Sequence, residues 1–333
     1  MRVTVVGAGV VGLTAALELS ERGAEVEIVE RAAHLGEAAC SWCAGGMLAP
    51  WCEGESAPAE VVDLGAQALD WWARRVPGVA SNGTLVVAAP RDVGEIERFA
   101  ARTLNHERVD ETRIGALEPD LAGRFRKGLF FAREGHLDPR MALGALRDRL
   151  AERGVAISFG VDGAAPSLFA GAVLDCRGFA ARDALEELRG VRGEMLILRT
   201  KEISLARPIR FLHPRIPLYV VPRADGLFMV GATMIESAER GSVTARSAIE
   251  LLSAAYALHP AFGEAEIVEM RADVRPAFPD NLPRIVRRGA TNYLNGFYRH
   301  GFLLSPAFAQ KAAATILRDV RDTNENHRQR RRA

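Results

Sequence analysis

Cysteine is scarce in this 333-residue chain: Cys40, Cys43, Cys52 and Cys176 are the only four. That is too few for a disulfide scaffold in a chain long enough to bury its own apolar core, and it fits a reducing, cytoplasmic setting. Net charge is nearly absent too, because 43 Lys and Arg face 42 Asp and Glu. No excess of positive charge is on offer to phosphates, so nucleic acid is not an expected partner. Long unbroken apolar runs are also missing. The stretch from Val3 to Leu19 is interrupted by three glycines and closed by Glu18, Glu21 and Arg22. It is therefore read as folded structure, with no stable membrane insertion and no targeting segment. Neither G-x-S-x-G nor G-x-x-x-x-G-K-[ST] occurs, which removes the hydrolase serine and the P-loop from consideration.

What is present reads as globular: 48% of residues are hydrophobic and 26% charged, and the length suggests roughly two domains of about 150 residues. Glycine is abundant, with 31 residues, which points to tight turns and to backbone lying close to something bound. Val3 to Val6 is a short β-branched run. Gly7-Ala8-Gly9-Val10-Val11-Gly12 follows, then Leu13, Ala16, Leu17 and Leu19 at near-helical spacing, a stop at Gly23, and a second apolar run from Val26 to Val29 ending at Glu30. Strand, glycine turn, helix and strand in that order form a dinucleotide-binding βαβ unit. Gly7 would allow the tight turn, Gly9 the approach of a pyrophosphate, and Gly12 close helix–strand packing, while Glu30 would accept hydrogen bonds from a ribose. Arg31 beside it leaves an opening for a 2′-phosphate, and the fingerprint alone does not separate FAD from NAD.

Further along, the pattern predicts a helix capped by Asp138 with Pro139 at its first position, and short core strands at Val155 to Phe159 and Ala172 to Asp175. From Met195 to Val230 three β-rich stretches appear, the last two joined by Arg223-Ala224-Asp225-Gly226, a hairpin signal. The fold class expected is α/β, a Rossmann-type FAD-binding domain with a second, substrate-binding domain built on an antiparallel sheet. The expected division puts residues 1–80, 135–190 and 265–320 in the first, 81–134 and 191–264 in the second, and 321–333 in a flexible basic tail. Ser305-Pro306 would cap and open the last long helix.

Several motifs carry two readings. Cys40-x-x-Cys43 suggests redox or zinc chemistry, but there is one such pair and no histidine at ligand spacing, which favours plain thiols. Arg271, Asp273 and Arg275 alternate along a predicted strand ended by Pro276. They are either a surface ladder of ion pairs or a charged row facing a site. Tyr219 is an ordinary strand aromatic unless a cavity lies beneath it. Gly296-Phe297-Tyr298-Arg299-His300-Gly301 crowds two aromatics, an arginine and a histidine between glycines, more chemistry than a plain connection needs.

Taken together, several segments resemble one family, the FAD-dependent D-amino-acid oxidases, and within it the glycine oxidases of the thiamine pathway. The segments are Gly7 to Gly12 with Glu30-Arg31, Ser41-Trp42-Cys43-Ala44-Gly45-Gly46-Met47-Leu48-Ala49-Pro50, Gly135 to Arg140, Tyr219 to Arg223, Val230 to Met234, Arg275-Pro276, and Tyr298 to Gly301 before Leu303 to Pro306. The resemblance implies FAD bound without a covalent link, contacted by Gly7, Gly9, Val10, Val11, Gly12, Glu30, Arg31 and Ser41. It also implies that Ala44, Gly45, Gly46 and Met47 run against the isoalloxazine, and that Cys176, Gly178, Gly301, Phe302 and Leu303 complete the cofactor contacts. Asp175-Cys176-Arg177 departs from the small residues such families carry there. By the same resemblance Arg275 would clamp the substrate carboxylate, Tyr219 would wall the pocket, Arg299 would be a second polar contact, and Met234, Met47 and His300 would line the pocket.

The chemistry implied is oxidation of glycine or another small amino acid to its imine, with oxygen taking the electrons as hydrogen peroxide and the imine feeding thiazole synthesis. One orientation of Cα–H towards the flavin must be enforced, and a guanidinium fork gripping the carboxylate enforces it. The amine would have to arrive neutral. The alternative within the fold is a D-amino-acid or hydroxyproline dehydrogenase that passes electrons to a quinone; outside it, a non-catalytic NAD-binding sensor. A homo-oligomer is expected from the family.

Overall fold

The computed structural model describes residues 1–163, 169–213 and 218–330. The chain forms two compact units, one of Met1–Trp42, Leu143–Leu188 and Pro276–Ala333, the other of Cys43–Ala142 and Arg189–Arg275. Segments 43–80, 135–142, 189–190 and 265–275, expected with the nucleotide-binding part, cluster with the second unit. Among the described residues no helix is long and apolar enough to cross a membrane.

In the first unit, β1 (Arg2–Val6), α1 (Val10–Glu21) and β2 (Glu25–Glu30) form the βαβ motif, with β1 and β2 parallel and Val3 opposite Val26. Four more strands complete a six-stranded sheet: Ala156–Phe159 beside β2, Ala172–Asp175 beside β1, then Thr291–Asn295 and Arg284–Arg288. All neighbours are parallel except the last pair. Parallel strands covered on both faces should be apolar throughout, and Val3, Val5 and Ile28 are fully buried. α1 is buried along most of its length, including Leu13, Leu17 and Leu19, because the helix Gly301–Arg330 packs against it. Each such leucine contributes about 1.5–3 kcal/mol of burial. Gly23, at φ +84°, ends α1 where a left-handed residue is required.

The last helix does not begin at Ser305. It starts at Gly301, with the His300 carbonyl accepting from the Leu304 N–H at 2.8 Å, and Ser305 and Pro306 lie inside it. Phe302, Leu303, Leu304 and Phe308 are all buried, so the apolar face that must be covered begins a turn earlier than the Ser-Pro pair, and burial outweighs the local capping preference. The helix also runs on through Arg330, into the stretch expected as a tail; residues 331–333 lie outside the described residues.

In the second unit a nine-stranded sheet is mostly antiparallel. The strand Arg189–Arg199 pairs with Leu227–Gly231, which pairs with Leu218–Pro222, so the expected hairpin through Asp225-Gly226 is formed. Ile209–Leu212 continues the sheet, antiparallel to Leu218–Pro222 and parallel to Thr84–Ala88, which in turn pairs antiparallel with Lys127–Phe131. The strand Glu266–Ala277 pairs with Arg189–Arg199, which is why residues 265–275 belong here.

Alternation decides what each face of this sheet does. Leu196, Leu198, Leu218, Val220, Phe228 and Val230 face a core closed by the helix Ala245–Leu258, which Thr244 caps by accepting from the Ser247 N–H. Met195, Ile197, Val221 and Met229 face the other way, with Cys43, Met47 and Tyr219 packed against them. The segment after Met47 is tied in by pairing of Met47–Leu48 with Gly135–His136 and by Trp51 and Cys52 packing with Val86 and Phe131.

Two buried ionisable groups flank that pairing. Burial pushes the Glu134 carboxyl up to about 7, although it accepts from the Cys52 N–H at 2.8 Å. Burial, with the Arg223 charge adding to it, pulls the His136 imidazole down to about 4. Glu134 binds its proton more tightly folded than unfolded, so its contribution is full at low pH and is lost as pH rises from about 4.5 to 7. His136 behaves oppositely, and its contribution is lost as pH falls from about 6.5 to 4. The two trends offset each other in the overlap. Glu134→Gln should therefore lose urea stability relative to the native chain as pH is lowered from about 7 towards 4.5; parallel pH profiles for the two proteins would refute the assignment.

Candidate active site

The glycine turn between β1 and α1 is shaped by contacts that no side chain could share. Gly7 adopts φ +103°, and a Cβ there would lie 2.8 Å from the Cys176 carbonyl oxygen. A Cβ on Gly12 would collide with the Gly7 carbonyl oxygen. Gly9 is different: its φ is −75°, and a Cβ would sit 3.6 Å from the Ser41 Oγ, an ordinary contact. Packing thus demands glycine at 7 and 12 and not at 9, which leaves a bare backbone surface at the N-terminus of α1. That is the surface a pyrophosphate needs.

Around it the polar groups are organised. The Glu30 carboxylate accepts from the Ala8 N–H at 2.8 Å and the Ala32 N–H at 2.9 Å, so it is held at the turn where a ribose hydroxyl would reach it. Ser41 is buried and its Oγ accepts from the Val10 N–H at 3.3 Å. Val11 occupies the first turn of α1, and Arg31 is exposed. The Cys176 N–H donates to the Val6 carbonyl, and its side chain lies 3.5 Å from the Cβ position of Gly12. The charged residues that depart from the family pattern are committed to one another. Buried Asp175 accepts from the Arg177 N–H and Nε, and Arg177 forms two bonds to Asp183 at 2.9 and 3.0 Å. Gly178, at φ +59°, is held through its carbonyl by the Asn295 side chain at 2.8 Å.

Also in the first unit, the Gly296–Gly301 turn is stapled to the chain after Arg275, the Tyr298 N–H donating to the Pro276 carbonyl at 2.8 Å. Tyr298 is left-handed at φ +49°, a strain of order 1 kcal/mol for a non-glycine residue. Arg299 Nε donates to His300 Nε2 at 3.3 Å, and His300 is buried. Gly301, Phe302 and Leu303 form the first turn of the last helix, whose N–H groups have no acceptor within the helix.

In the second unit, one face of the sheet gathers the other predicted residues. Arg275 lies on the strand Glu266–Ala277, half-buried, and its Nη1 donates to the Thr233 carbonyl at 3.0 Å. The ladder of ion pairs is real for its neighbours, since Arg271 pairs with Glu269 and Asp273 with Arg240, each at 3.6 Å. Arg275, by contrast, has no carboxylate partner among the described residues. Its guanidinium lies against Gly193, where a Cβ would collide with it. Thr233 is in turn locked to Glu194, which donates its N–H to Thr233 Oγ1 at 2.9 Å and accepts the Thr233 N–H at 3.1 Å. Glu194 itself forms a buried ion pair with Arg192.

Tyr219 presses on the glycine loop, its Cε2 lying 2.8 Å from the Cβ position of Gly45. Gly46, at φ +75°, could carry no side chain because its Cβ would strike the Leu137 carbonyl. Ala44 and Met47 flank these glycines, and both are half-buried. Met234, next to Thr233, is 51% exposed. Burial pushes the Cys43 thiol up to about 11, so it stays protonated at neutral pH and is a poor nucleophile.

Sequence reasoning assigned no role to Gly193, Thr233 or Arg223. Arg223 donates to the carbonyls of Leu137, Ala44 and Gly45 at 2.9, 3.1 and 3.1 Å, and burial pulls its guanidinium down to about 10 while leaving it charged. The one available signal was its place directly after the strand bearing Tyr219.

Known proteins place this geometry. Residues 2–315 match the model of the DAO family, FAD dependent oxidoreductases. The chain is 56% identical over 318 residues to a Rhizobium etli protein named as a thiamine biosynthesis oxidoreductase, covering 95% of this chain and 97% of that one. It is 28% identical over 347 residues to a glycine oxidase of Pseudomonas aeruginosa, covering 92% of each. The crystal structure of glycine oxidase from Geobacillus kaustophilus superposes with a TM-score of 0.79 at 23% identity, over 95% of each chain, and shows the shared fold.

The contrast among the three glycines gives a test. Gly9→Ala should leave thermal stability within about 0.5 kcal/mol, as for a tolerated substitution, and still weaken FAD retention. Gly12→Ala, which meets backbone, should lose both. Calorimetry and the yellow absorbance of the purified variants decide it, and undiminished flavin on Gly9→Ala would remove the turn from the cofactor site.

Proposed function

The chain belongs to the DAO family of FAD dependent oxidoreductases, and we propose that it oxidatively deaminates glycine or a comparably small amino acid, releasing hydrogen peroxide. The observation that carries this reading is Arg275: a half-buried guanidinium with no carboxylate partner among the described residues, held by one backbone carbonyl and a glycine. Likeness to a thiamine biosynthesis oxidoreductase supports the imine as a precursor for thiazole synthesis. Cysteine usage supports a cytoplasmic setting, and the family resemblance supports a homo-oligomer.

The residues fit FAD, because the bare backbone at Gly9, the anchored Glu30 carboxylate and the glycine loop Ala44–Met47 offer the surfaces a dinucleotide and a flat ring system require. Bound FAD supplies the acceptor that takes hydride from the substrate Cα and returns the electrons to oxygen as hydrogen peroxide. Arg275 has the other half of the work. A substrate carboxylate entering beside it meets a charge already partly dehydrated, and two parallel N–H donors fix its plane. With the acid end fixed, the rotation that carries Cα–H away from the acceptor is blocked. The amine lone pair drives hydride departure, so no side chain need remove a proton from Cα, and none of the charged residues near Arg275 is required as a base. Tyr219 and Met47, on the same sheet face, would wall the space beside the carboxylate, and Met234 would line its rim. In the first unit Arg299, whose Nε donates to His300, would be a polar contact near the flavin.

A peroxide-release screen comparing glycine, sarcosine, D-alanine and D-proline tests the substrate, with glycine or sarcosine expected to lead; no peroxide from any amino acid would overturn the reading. Arg275→Ala should raise KM for every carboxylate substrate by the equivalent of about 2–5 kcal/mol, a buried charge pair lost on one side. An unchanged KM would take Arg275 out of the site. Gly193→Ala should displace only the end of the Arg275 side chain, so KM should rise while the unfolding midpoint holds; a lowered midpoint with normal KM would show that Gly193 serves the fold alone.

A further inference from the structure

Among the arginines of the second unit, Arg223 is unusual in what it is used for. Its side chain is 7% exposed. Its nearest carboxylate oxygen, on Asp138, is 3.5 Å away, and that carboxylate is already the helix cap, accepting the Arg140 N–H at 2.7 Å and the Met141 N–H at 3.3 Å. The close contacts of the guanidinium are the three backbone carbonyls of Leu137, Ala44 and Gly45. A charge removed from water is costly to hold when its close hydrogen bonds all go to neutral carbonyls and the one nearby carboxylate stands at 3.5 Å. The segment it holds is the one with most to gain, since Gly45-Gly46 would otherwise be the least restrained part of the loop.

The geometry has a direction. In a trans peptide the carbonyl and the next N–H point opposite ways, so drawing the Ala44 and Gly45 carbonyls onto Arg223 turns the Gly45 and Gly46 N–H groups away from it. Both glycines are buried, and among the described residues neither N–H has a hydrogen-bonding partner. Buried backbone donors are rarely left unpaired. Two facing the same way are an offer to an acceptor outside the chain. Tyr219 Cε2 against Gly45 and the Leu137 N–H donating to the Gly46 carbonyl at 3.0 Å hold the loop from its other sides.

We propose that Arg223 is a positioning residue for the flavin, clamping the Ala44 and Gly45 carbonyls so that the N–H side of the loop is presented, already ordered, to the acceptor atoms of the isoalloxazine. The inference rests on the FAD-dependent reading above and goes beyond it by assigning loop order to a residue that touches neither cofactor nor substrate.

The test compares Arg223→Met and Arg223→Lys with Arg207→Met. Arg207 is a second poorly exposed guanidinium of the same unit, bound to Glu118 and to the carbonyls of Asn82 and Leu117, so it reports loss of stability alone. Apoprotein titrated with FAD, the visible spectrum of the complex and amide exchange over residues 43–48 are measured without any amino acid, so a wrong substrate assignment cannot affect the outcome. Arg223→Met should weaken FAD binding at least about tenfold, the equivalent of one charged hydrogen bond. It should also speed exchange in the loop and shift the flavin bands. Arg223→Lys, keeping the charge and losing the fork, should recover part of this, and Arg207→Met should lower the unfolding midpoint with FAD affinity unchanged. Native affinity, spectrum and exchange in Arg223→Met would overturn the proposal, as would an equal loss in Arg207→Met. Should Arg223→Met fail to fold, an Arg223→Lys protein with native affinity and loop exchange overturns it equally.

Discussion

A positive charge that the protein has half withdrawn from water, with no carboxylate partner among the described residues, is the constraint on which the second unit turns. Arg275 sits on a strand whose other charges are paired within the unit, Arg271 with Glu269 and Asp273 with Arg240. Had it a carboxylate of its own, the strand would be a plain surface ladder. Instead its guanidinium is laid on Gly193 and anchored to one carbonyl, and Thr233, which supplies that carbonyl, is fixed from both sides by Glu194. The buried Arg192–Glu194 pair therefore has a use beyond the fold. It sets where the acceptor for Arg275 stands.

Missing side chains do as much as the charged ones. Gly193 allows the guanidinium to lie against a strand, Gly46 allows the loop to cross the Leu137 carbonyl, and Gly7 and Gly12 let strand, turn and helix meet at van der Waals distance. In each case a single Cβ would occupy space that another group needs. Gly9 is the exception that separates packing from binding, because the surrounding protein would tolerate its Cβ. At Gly193 an arginine and a glycine work as a pair: the guanidinium of Arg275 supplies direction, and the glycine supplies the clearance for it. At Gly45 the missing Cβ makes room for Tyr219, while Arg223 holds the carbonyl.

Much of this was legible beforehand. The βαβ unit was readable because glycine spacing, β-branched runs and helical periodicity are local signals that agree with one another from Val3 to Glu30. The hairpin at Asp225-Gly226 and the cap at Asp138 were readable for the same reason. The start of the last helix was not, because Ser305-Pro306 is a strong local capping signal overruled by the burial of Phe302, Leu303 and Leu304. The division between units was drawn differently as well. Residues 43–80 and 265–275 take their place from strand pairing and core contacts with segments far away in the chain, and no local pattern encodes such a choice. The charged Asp175-Cys176-Arg177 stretch looked out of place in sequence, and in space its charges satisfy one another.

By itself the sequence determined the glycine turn between the first strand and helix, the α/β and antiparallel parts, and the short roster of residues with chemistry to offer, since each rests on the spacing of neighbours along the chain. The tertiary structure alone decided which arginine among Arg271, Arg275 and Arg223 was paired with a carboxylate, which was anchored to a backbone carbonyl, and which held a loop. Ion pairing, burial and clearance depend on what the folded chain brings within a few ångströms, and strands joined across scores of residues bring together partners that sequence order keeps apart.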